Sequence, residues 1–245
     1  MLLAGRIILV TGGSRGLGGA MVKAFTREGA RVAFNYSSND ADAQATLAAV
    51  ETAGGFARAY KCSVTDRAGL RSMVRRIEEE VGPVDTLVNN AGVGQVLPLA
   101  LMEEEDWDRM MDIHVKGAFL TTQACLRGMV KHKRGTILNV SSLAGVRMVK
   151  APVHYCTAKA ALRGFTESLA KEIGKYGIVV NAIAPGLLDE GVADNIPATN
   201  KADYEANCAL GRTGTCAEVA ELAALLLSSR NTYMNGATIL ADGGI

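Results

Sequence analysis

The chain has 245 residues, is 49% hydrophobic and carries a formal net charge of +1 without a basic block, which argues against nucleic acid as its main partner. A chain of this length can bury a substantial core, as one large domain or two small ones. Its five cysteines are odd in number and lack Cys-x-x-Cys spacing, and no run approaches the ~18 apolar residues of a membrane span, so we expect a soluble cytoplasmic protein with reduced thiols and no membrane partner.

Short apolar runs alternate with longer helical patterns along the whole chain. The runs predict strands at 6–10, 31–36, 57–61, 84–88, 135–141, 178–184 and 237–241, and the patterns predict helices at 17–28, 41–53, 67–81, 104–131, 153–176 and 217–227. Largely apolar strands are typical of a sheet covered on both faces. The alternation predicts an α/β fold of the Rossmann type, a doubly wound parallel sheet of about seven strands with helices on both faces. No linker or repeat divides the chain, so we expect a single domain over residues 1–245.

A glycine-rich loop, TGGSRGLG (11–18), follows the first predicted strand and precedes the first predicted helix. Glycines let the backbone turn sharply and approach a pyrophosphate, while the helix N-terminus supplies N–H donors and a positive dipole. The spacing is Gly-xxx-Gly-x-Gly rather than the commoner GxGxxG. Its position between strand and helix favours a dinucleotide-binding loop over a plain tight turn.

The end of the second predicted strand bears on the choice of cofactor. NAD-binding chains usually carry an Asp or Glu there, which binds the adenosine ribose, whereas this chain has Ser37 and Ser38 and no carboxylate before Asp40. Arg15 in the loop offers a cation that we expect to be uncancelled. These residues favour NADP, with NAD possible; the alternative is that Arg15 is a solvated loop charge.

Two further predicted strands end in small and polar residues, NNAG (89–92) and NVSS (139–142). The carboxyl ends of neighbouring parallel strands form the crevice in which such sheets bind ligands. We therefore expect Ser142 to face this crevice. For the first of the two, an ordinary Asn-rich turn ending in Gly is the alternative.

Tyr155 and Lys159 stand four residues apart in a predicted helix, so their side chains lie one turn apart on one face. A nearby cation favours the phenolate and lowers the tyrosine pKa from its ordinary value near 10. Such a pair could protonate a forming alkoxide or deprotonate an alcohol. A helical surface pair is the alternative, because this spacing is common by chance.

Taken together, these motifs resemble the short-chain dehydrogenase/reductase family over nearly the whole chain. The points of similarity are TGGSRGLG (11–18), NNAG (89–92), NVSS (139–142), YCTAK (155–159), APG (184–186) and the ending DGG (242–244). Within the family, the chain most resembles the 3-oxoacyl-[acyl-carrier-protein] reductases. The resemblance covers the expected fold, the cofactor loop and the catalytic residues.

The resemblance implies a catalytic role for Ser142, which would hydrogen-bond the substrate carbonyl, while Ser141 is its structural neighbour. Tyr155 would be the general acid in reduction, and Lys159 would lower its pKa and hold the nicotinamide ribose. His114 falls at the fourth catalytic position. Cofactor contacts are implied at Gly12, Ser14, Arg15, Gly16, Leu17, Gly18, Tyr36, Ser37, Ser38, Ser63, Val64, Asn89, Ala91, Gly92, Tyr155, Lys159, Pro185, Gly186 and Leu188.

Three positions depart from the family pattern. His114 stands where an Asn usually holds a water that joins the lysine to solvent; a neutral His could replace it, or it could be a packed helix residue. Ser63 replaces the Asp or Asn expected at the adenine amino group. Glu190 replaces a Thr at the nicotinamide amide, and we expect this carboxylate to point away from the cofactor phosphates.

The resemblance implies an NADPH-dependent reductase of a ketone, most of all a 3-oxoacyl thioester in fatty-acid biosynthesis. The alternatives are a dehydrogenase of a sugar, steroid or other small alcohol, or a weakly catalytic dinucleotide-binding subunit. It also implies a substrate lid at 187–210 and a homotetramer or homodimer. Arg147 and Lys150 could meet an anionic carrier or be solvated cations. His132 and His154 lack a second ligand at metal spacing, so we expect no metal.

Overall fold

A seven-stranded parallel sheet forms the centre of the molecule. The computed structural model describes residues 1–191 and 198–245. The strands are β1 (Ile7–Thr11), β2 (Arg31–Tyr36), β3 (Phe56–Lys61), β4 (Thr86–Asn89), β5 (Gly135–Val140), β6 (Ile178–Pro185) and β7 (Thr238–Ala241). Their order in the sheet is β3-β2-β1-β4-β5-β6-β7, and every neighbouring pair is parallel. The predicted fold is therefore confirmed.

The helices cover both faces of this sheet. They are α1 (Gly16–Arg27), α2 (Asp40–Thr52), α3 (Arg67–Glu80), α4 (Glu104–Met111), α5 (Gly117–His132), α6 (Val153–Ile173), α7 (Ala198–Asn207) and α8 (Cys216–Leu227). Residues of α1 and α8 pack with Ile8 and Val10 of β1, whereas residues of α3, α5 and α6 pack with Leu9. Because successive strand residues point to opposite faces, one apolar strand feeds two hydrophobic cores.

The strand order places the functional loops together. Strand order reverses between β1 and β4, and the crevice at such a switch point lies outside the carboxyl ends of the strands. The glycine-rich loop follows β1, and the Asn90–Gly92 turn follows β4. The hydroxyl of Thr11 joins them, since it donates to the carbonyl of Val88 (3.3 Å) and accepts from the N–H of Asn90 (2.9 Å).

Two helical regions differ from the prediction. The helix expected over 104–131 is interrupted by a π turn, Asp112–Lys116, which separates α4 from α5. Helix α7 was not predicted, because its sequence is polar and carries no apolar stripe. It occupies part of the expected lid at 187–210, of which residues 192–197 lie outside the described part of the chain.

No helix of the described residues is long and apolar enough to cross a membrane. Within the same residues, no group of His, Cys, Asp and Glu side chains is arranged to hold a metal ion. All five cysteines are free thiols.

Candidate active site

A cleft of about 580 Å³ runs along the carboxyl ends of the strands. It brings together predicted residues from segments that are far apart in sequence. Those that line it are Gly12, Ser14, Arg15, Gly16, Leu17, Gly18, Tyr36, Ser37, Ser38, Ser63, Val64, Ala91, Gly92, His114, Lys159, Pro185, Gly186 and Leu188. Ser142, Tyr155 and Asn89 do not form part of this lining.

The glycine-rich loop wraps around the start of α1, and two of its glycines have no room for a side chain. A Cβ on Gly18 would overlap the carbonyl oxygen of Gly12, and a Cβ on Gly13 would overlap the Phe34 side chain. Gly12 itself has φ +64°, a left-handed conformation that favours glycine. The loop therefore presents bare backbone to the cleft, at the N-terminal end of a twelve-residue helix.

Asn35, which we did not single out from the sequence, anchors this loop. Its side-chain oxygen accepts from the N–H of Gly12 (3.2 Å), and its amide donates to the carbonyl of Cys62 (2.7 Å). Asn35 is buried and lines the cleft. Because its two partners follow β1 and β3, one side chain links three strand ends.

The far end of the cleft is lined by Arg15, Ser37, Ser38, Asn39 and Asp42, a group that we call the ribose corner. Here the expectation of an uncancelled cation is wrong, since the Nε of Arg15 lies 3.8 Å from a carboxylate oxygen of Asp42. Asp42 belongs to the first turn of α2, where the helix dipole favours acidic side chains.

Lys159 and His114 line the other end of the cleft, and Tyr155 lies against both. We call these residues and Ser142 the catalytic corner, after the role predicted for them. Although burial raises the pKa of Tyr155 overall, a hydrogen-bonding interaction with the hydroxyl of Ser142 acts to lower it. The same hydroxyl accepts from the N–H of Ala144 (3.2 Å). Ser141 instead points into the protein, where its hydroxyl donates to the carbonyl of Lys159 (2.8 Å). The two adjacent serines thus have different environments, and only Ser142 engages the phenol.

Lys159 lies beneath this pair and is only 4% exposed. Its ammonium group donates to the carbonyl of Val140 (2.8 Å) and lies 5.7 Å from the centre of the Tyr155 ring. No carboxylate of the described residues forms an ion pair with it. Burial without a counter-ion lowers the pKa of Lys159 to about 7.

The pKa of Tyr155 moves opposite to our expectation. Burial raises it above 10, the Ser142 hydrogen bond acts downward, and the neighbouring Cys156 thiol acts upward. We expected Lys159 to lower this pKa, but it is not among the groups that shift it. The spacing of Tyr155 and Lys159 carried no information about burial, and their catalytic role stays a prediction.

His114 is buried in the π turn and closes the catalytic corner. Its ring stands perpendicular to that of Tyr155 with the two centres 5.7 Å apart. The Nε2 atom contacts the backbone of Val93, 2.9 Å from the oxygen and 3.1 Å from the nitrogen. Nδ1 is buried without a hydrogen-bond partner in the described residues. Burial, followed by the charge of Lys159, lowers the pKa of His114 to about 3, so the ring is neutral near pH 7.

The position of the His114 ring also explains why residue 92 is a glycine. A Cβ on Gly92 would lie 2.5 Å from Cε1 of His114, closer than real Cβ contacts allow. The NNAG turn and the π turn therefore fit together only with glycine at this position. His114 is both a wall of the cleft and the group against which the loop after β4 is packed.

Asn89 faces the interior of the sheet. Its amide nitrogen donates to the side-chain oxygens of Thr122 (3.0 Å) and Asn139 (2.8 Å), and Asn139 donates in turn to Thr166 (2.8 Å). The neighbouring Asn90 lines the cleft and donates to the carbonyls of Thr11 and Gly12. The contact predicted for Asn89 with the cofactor stays a prediction.

The remaining wall follows β6. Pro185, Gly186, Leu188 and Glu190 line the cleft, and the orientation expected for the Glu190 carboxylate, away from the cofactor phosphates, stays a prediction. The backbone of Leu187–Asp189 is held against Gly214 by hydrogen bonds of 3.0 Å. Arg109 and Ile113, which we did not predict, complete the wall near His114.

Two other polar predictions have ordinary structural partners. The Nε of Arg147 lies 4.0 Å from a carboxylate oxygen of Asp242, so this residue is not a free loop cation. The hydroxyl of Ser63 pairs with that of Thr65 at 2.8 Å while the residue lines the cleft. His154 is fully buried, and its Nδ1 accepts from the N–H of Tyr155 (2.8 Å).

The family model and the relatives that match this chain are described as reductases of acyl carrier protein substrates. A family model described as enoyl-(acyl carrier protein) reductase matches residues 12–245. The 3-oxoacyl-[acyl-carrier-protein] reductase of Thermotoga maritima is 35% identical over 246 residues, covering 100% of this chain and 99% of the relative.

Solved structures agree with these matches. A short-chain dehydrogenase/reductase from Serratia marcescens superposes with a TM-score of 0.93 at 34% identity, covering 100% of this chain and 99% of the other. A blue fluorescent protein from a metagenomic library, solved in complex with NADPH, superposes with a TM-score of 0.91 at 34% identity and the same coverage.

Proposed function

This chain belongs to the short-chain dehydrogenase/reductase family and is an NAD(P)-dependent oxidoreductase, and on that premise we propose that it uses NADPH to reduce the ketone of a 3-oxoacyl thioester to a secondary alcohol. The observation that carries the proposal is the grouping beside the cleft of Tyr155, His114 and the buried Lys159, whose ammonium lies 5.7 Å from the centre of the Tyr155 ring. The 3-oxoacyl-[acyl-carrier-protein] reductase that it resembles supports this choice of substrate.

The residues of the cleft fit a dinucleotide. Gly12, Gly16 and Gly18 would let the backbone approach the pyrophosphate, since these three positions carry no Cβ and the N-terminus of α1 lies beside them. Lys159 would hold the nicotinamide ribose, while Pro185 and Gly186 would border the nicotinamide. When bound, the cofactor supplies the hydride.

The chain's own residues supply orientation and the proton. Ser142 would orient the carbonyl of the ketone, and Tyr155 would donate the proton to its oxygen. Each proton that Tyr155 gives up leaves a phenolate. We propose that the charged form of Lys159, 5.7 Å from the centre of the ring, offsets that charge during turnover, although Lys159 does not lower the pKa of Tyr155 in the resting structure. The low local polarity strengthens this attraction relative to water.

We expect the charge state of Lys159 to determine how readily Tyr155 donates its proton. With a pKa of about 7, Lys159 is charged below neutral pH and loses its charge above it. Proton donation by Tyr155 should therefore be favoured on the acid side of neutrality. This direction agrees with a reductase, which consumes a proton in each turnover.

We also propose the setting of the reaction. The protein would act as a homotetramer or homodimer in the cytoplasm, in the reductive step of fatty-acid biosynthesis, with residues 187–210 as a lid over the cleft. Its relative from Thermotoga maritima supports the pathway, and the free thiols agree with a reducing compartment. Light scattering on the purified chain measures the assembly.

The test is a turnover assay with both cofactors. Oxidation of NADPH and NADH is followed with acetoacetyl-CoA and then with a panel of sugar, steroid and small aliphatic ketones. We expect turnover of the thioester with NADPH. Turnover of other ketones alone would replace the substrate by another alcohol class, and cofactor binding without any turnover would indicate a weakly catalytic subunit.

A further inference from the structure

The ribose corner contains a cation and a carboxylate that face each other. Arg15 extends from the glycine-rich loop with 69% of its side chain exposed, and Asp42 extends from the first turn of α2 with 32% exposed. Both residues line the cleft, together with the hydroxyls of Ser37 and Ser38. The 3.8 Å between Arg15 Nε and Asp42 Oδ2 makes Asp42 the counter-ion of the one arginine at this corner.

A second ion pair lies on the same helix turn but outside the cleft. Lys61 donates to one carboxylate oxygen of Asp40 (2.9 Å), and the hydroxyl of Tyr36 donates to the other (2.9 Å). Asp40 and Lys61 do not line the cleft. Each of the two ion pairs is therefore neutral. The difference is that a ligand in the cleft can reach the Arg15–Asp42 pair but not the Lys61–Asp40 pair.

We propose that Asp42 is a specificity-determining residue, which limits the preference for NADPH by holding the charge of Arg15 in an internal ion pair. A 2′-phosphate must compete with this carboxylate for the guanidinium and is repelled by it as well. The ribose hydroxyl of NADH carries no charge and is indifferent to both effects. This inference rests on the proposed use of NADPH.

The experiment measures equilibrium binding rather than turnover. Dissociation constants of NADPH, NADH and adenosine 2′,5′-bisphosphate are determined by calorimetry for the full chain and for Asp42→Asn, Asp40→Asn and Arg15→Ala. The bisphosphate probes the ribose corner without a nicotinamide. Asp40→Asn is the matched control, because it removes the same charge two residues away from a side chain that does not line the cleft and meets it only through the hydroxyl of Tyr36.

We expect Asp42→Asn to tighten NADPH and the bisphosphate by about three- to fivefold, the range of an exposed ion pair, and to change NADH by less than about twofold. The gain should shrink as salt rises, since the charges are exposed. Asp40→Asn should leave all three constants within about twofold. Arg15→Ala should weaken NADPH and the bisphosphate and spare NADH.

The outcomes separate this inference from its premise. If Asp42→Asn weakens NADPH, tightens both cofactors equally, or matches Asp40→Asn, Asp42 does not set the preference. Should Arg15→Ala remain selective against NADPH in that case, the proposed use of NADPH survives and only the role of Asp42 is lost. If the unaltered chain prefers NADH and Arg15→Ala discriminates against neither cofactor, both proposals are overturned.

Discussion

Each end of the cleft contains a cation, Lys159 at one end and Arg15 at the other, and the two differ in burial and in partners. Lys159 in the catalytic corner is 4% exposed and has no carboxylate partner among the described residues, whereas Arg15 in the ribose corner is largely exposed and faces Asp42. Burial moves the pKa of Lys159 to about 7, so its charge responds to pH. Solvent and Asp42 moderate the charge of Arg15. The buried end is suited to proton transfer, and the exposed end to choosing between ligands.

The largest effect should come from removing the acid of the catalytic corner. Tyr155→Phe keeps the ring against His114 but deletes the hydroxyl that meets Ser142. We expect turnover to fall by at least about a hundredfold, because general acid catalysis is worth that much, with NADPH affinity little changed. Tyr60→Phe, which removes a hydroxyl bonded to Glu80 away from the cleft, is the control. Comparable turnover in both variants would remove Tyr155 from the mechanism.

A second variant tests whether the glycine-rich loop, which lies between the two corners, contacts both NADPH and NADH. In Gly18→Ala the new methyl would overlap the Gly12 carbonyl, so the loop must move. We expect both NADPH and NADH to bind at least about tenfold more weakly, since close backbone approach to the pyrophosphate is lost. Gly19→Ala is the matched control, because a Cβ there makes ordinary contacts starting at 3.4 Å. Equal binding by the two variants would mean that the loop does not contact the cofactor.

Lys159→Met tests the cost of the buried cation. The pKa of Lys159 is lowered from 10.5 to about 7, so between these pH values the unfolded chain binds more protons and stability rises with pH. Below pH 7 Lys159 is charged in both states, so the folded chain bears the full free-energy cost of burying that charge. We expect the variant to be inactive but more stable than the unaltered chain by about 3 kcal/mol at pH 6, and by much less at pH 10. Denaturant unfolding at the two pH values measures this, and a difference independent of pH would contradict it.

His114→Asn should change stability only at acid pH. Burial lowers the pKa of His114 from 6.5 to about 3, so in this window the unfolded chain binds more protons and stability falls as pH falls. Between pH 7 and pH 5 the unaltered chain should lose about 2 kcal/mol more stability than the variant. Above pH 6.5 the two curves should run parallel. His132→Asn, at an exposed position, controls for loss of an imidazole, and identical acid curves for all three proteins would exclude this contribution.

The patterns that depend on local sequence were predicted well. Strand β2 was predicted with its observed ends, and the glycine-rich loop lies between β1 and α1 as its position in the sequence indicated. The Tyr155–Lys159 pair was singled out by the family resemblance, since its spacing alone is common by chance. The side chains that connect distant segments were not predicted from the sequence. Asn35 and Asp42 act through partners that lie in other loops, and nothing in their own neighbourhood along the chain indicates those partners.

Burial was the other quantity missing from the sequence. The direction of the Tyr155 pKa shift depends on how completely the corner is desolvated, which spacing does not report. The π turn was missed for a related reason. Residues 104–131 read as one continuous helix, and the irregular turn is held by its fit against Gly92 and Val93.

The π turn also determines how the two halves of that helical region are rotated. A π turn contains one residue more than an α turn needs, which offsets α5 by about 100° from the direction that α4 alone would give it. Deleting one residue between Asp112 and Lys116 would restore regular spacing and turn either His114 or the whole of α5 away from its present neighbours. The number of residues in this turn is therefore as important to the shape of the cleft as their identity.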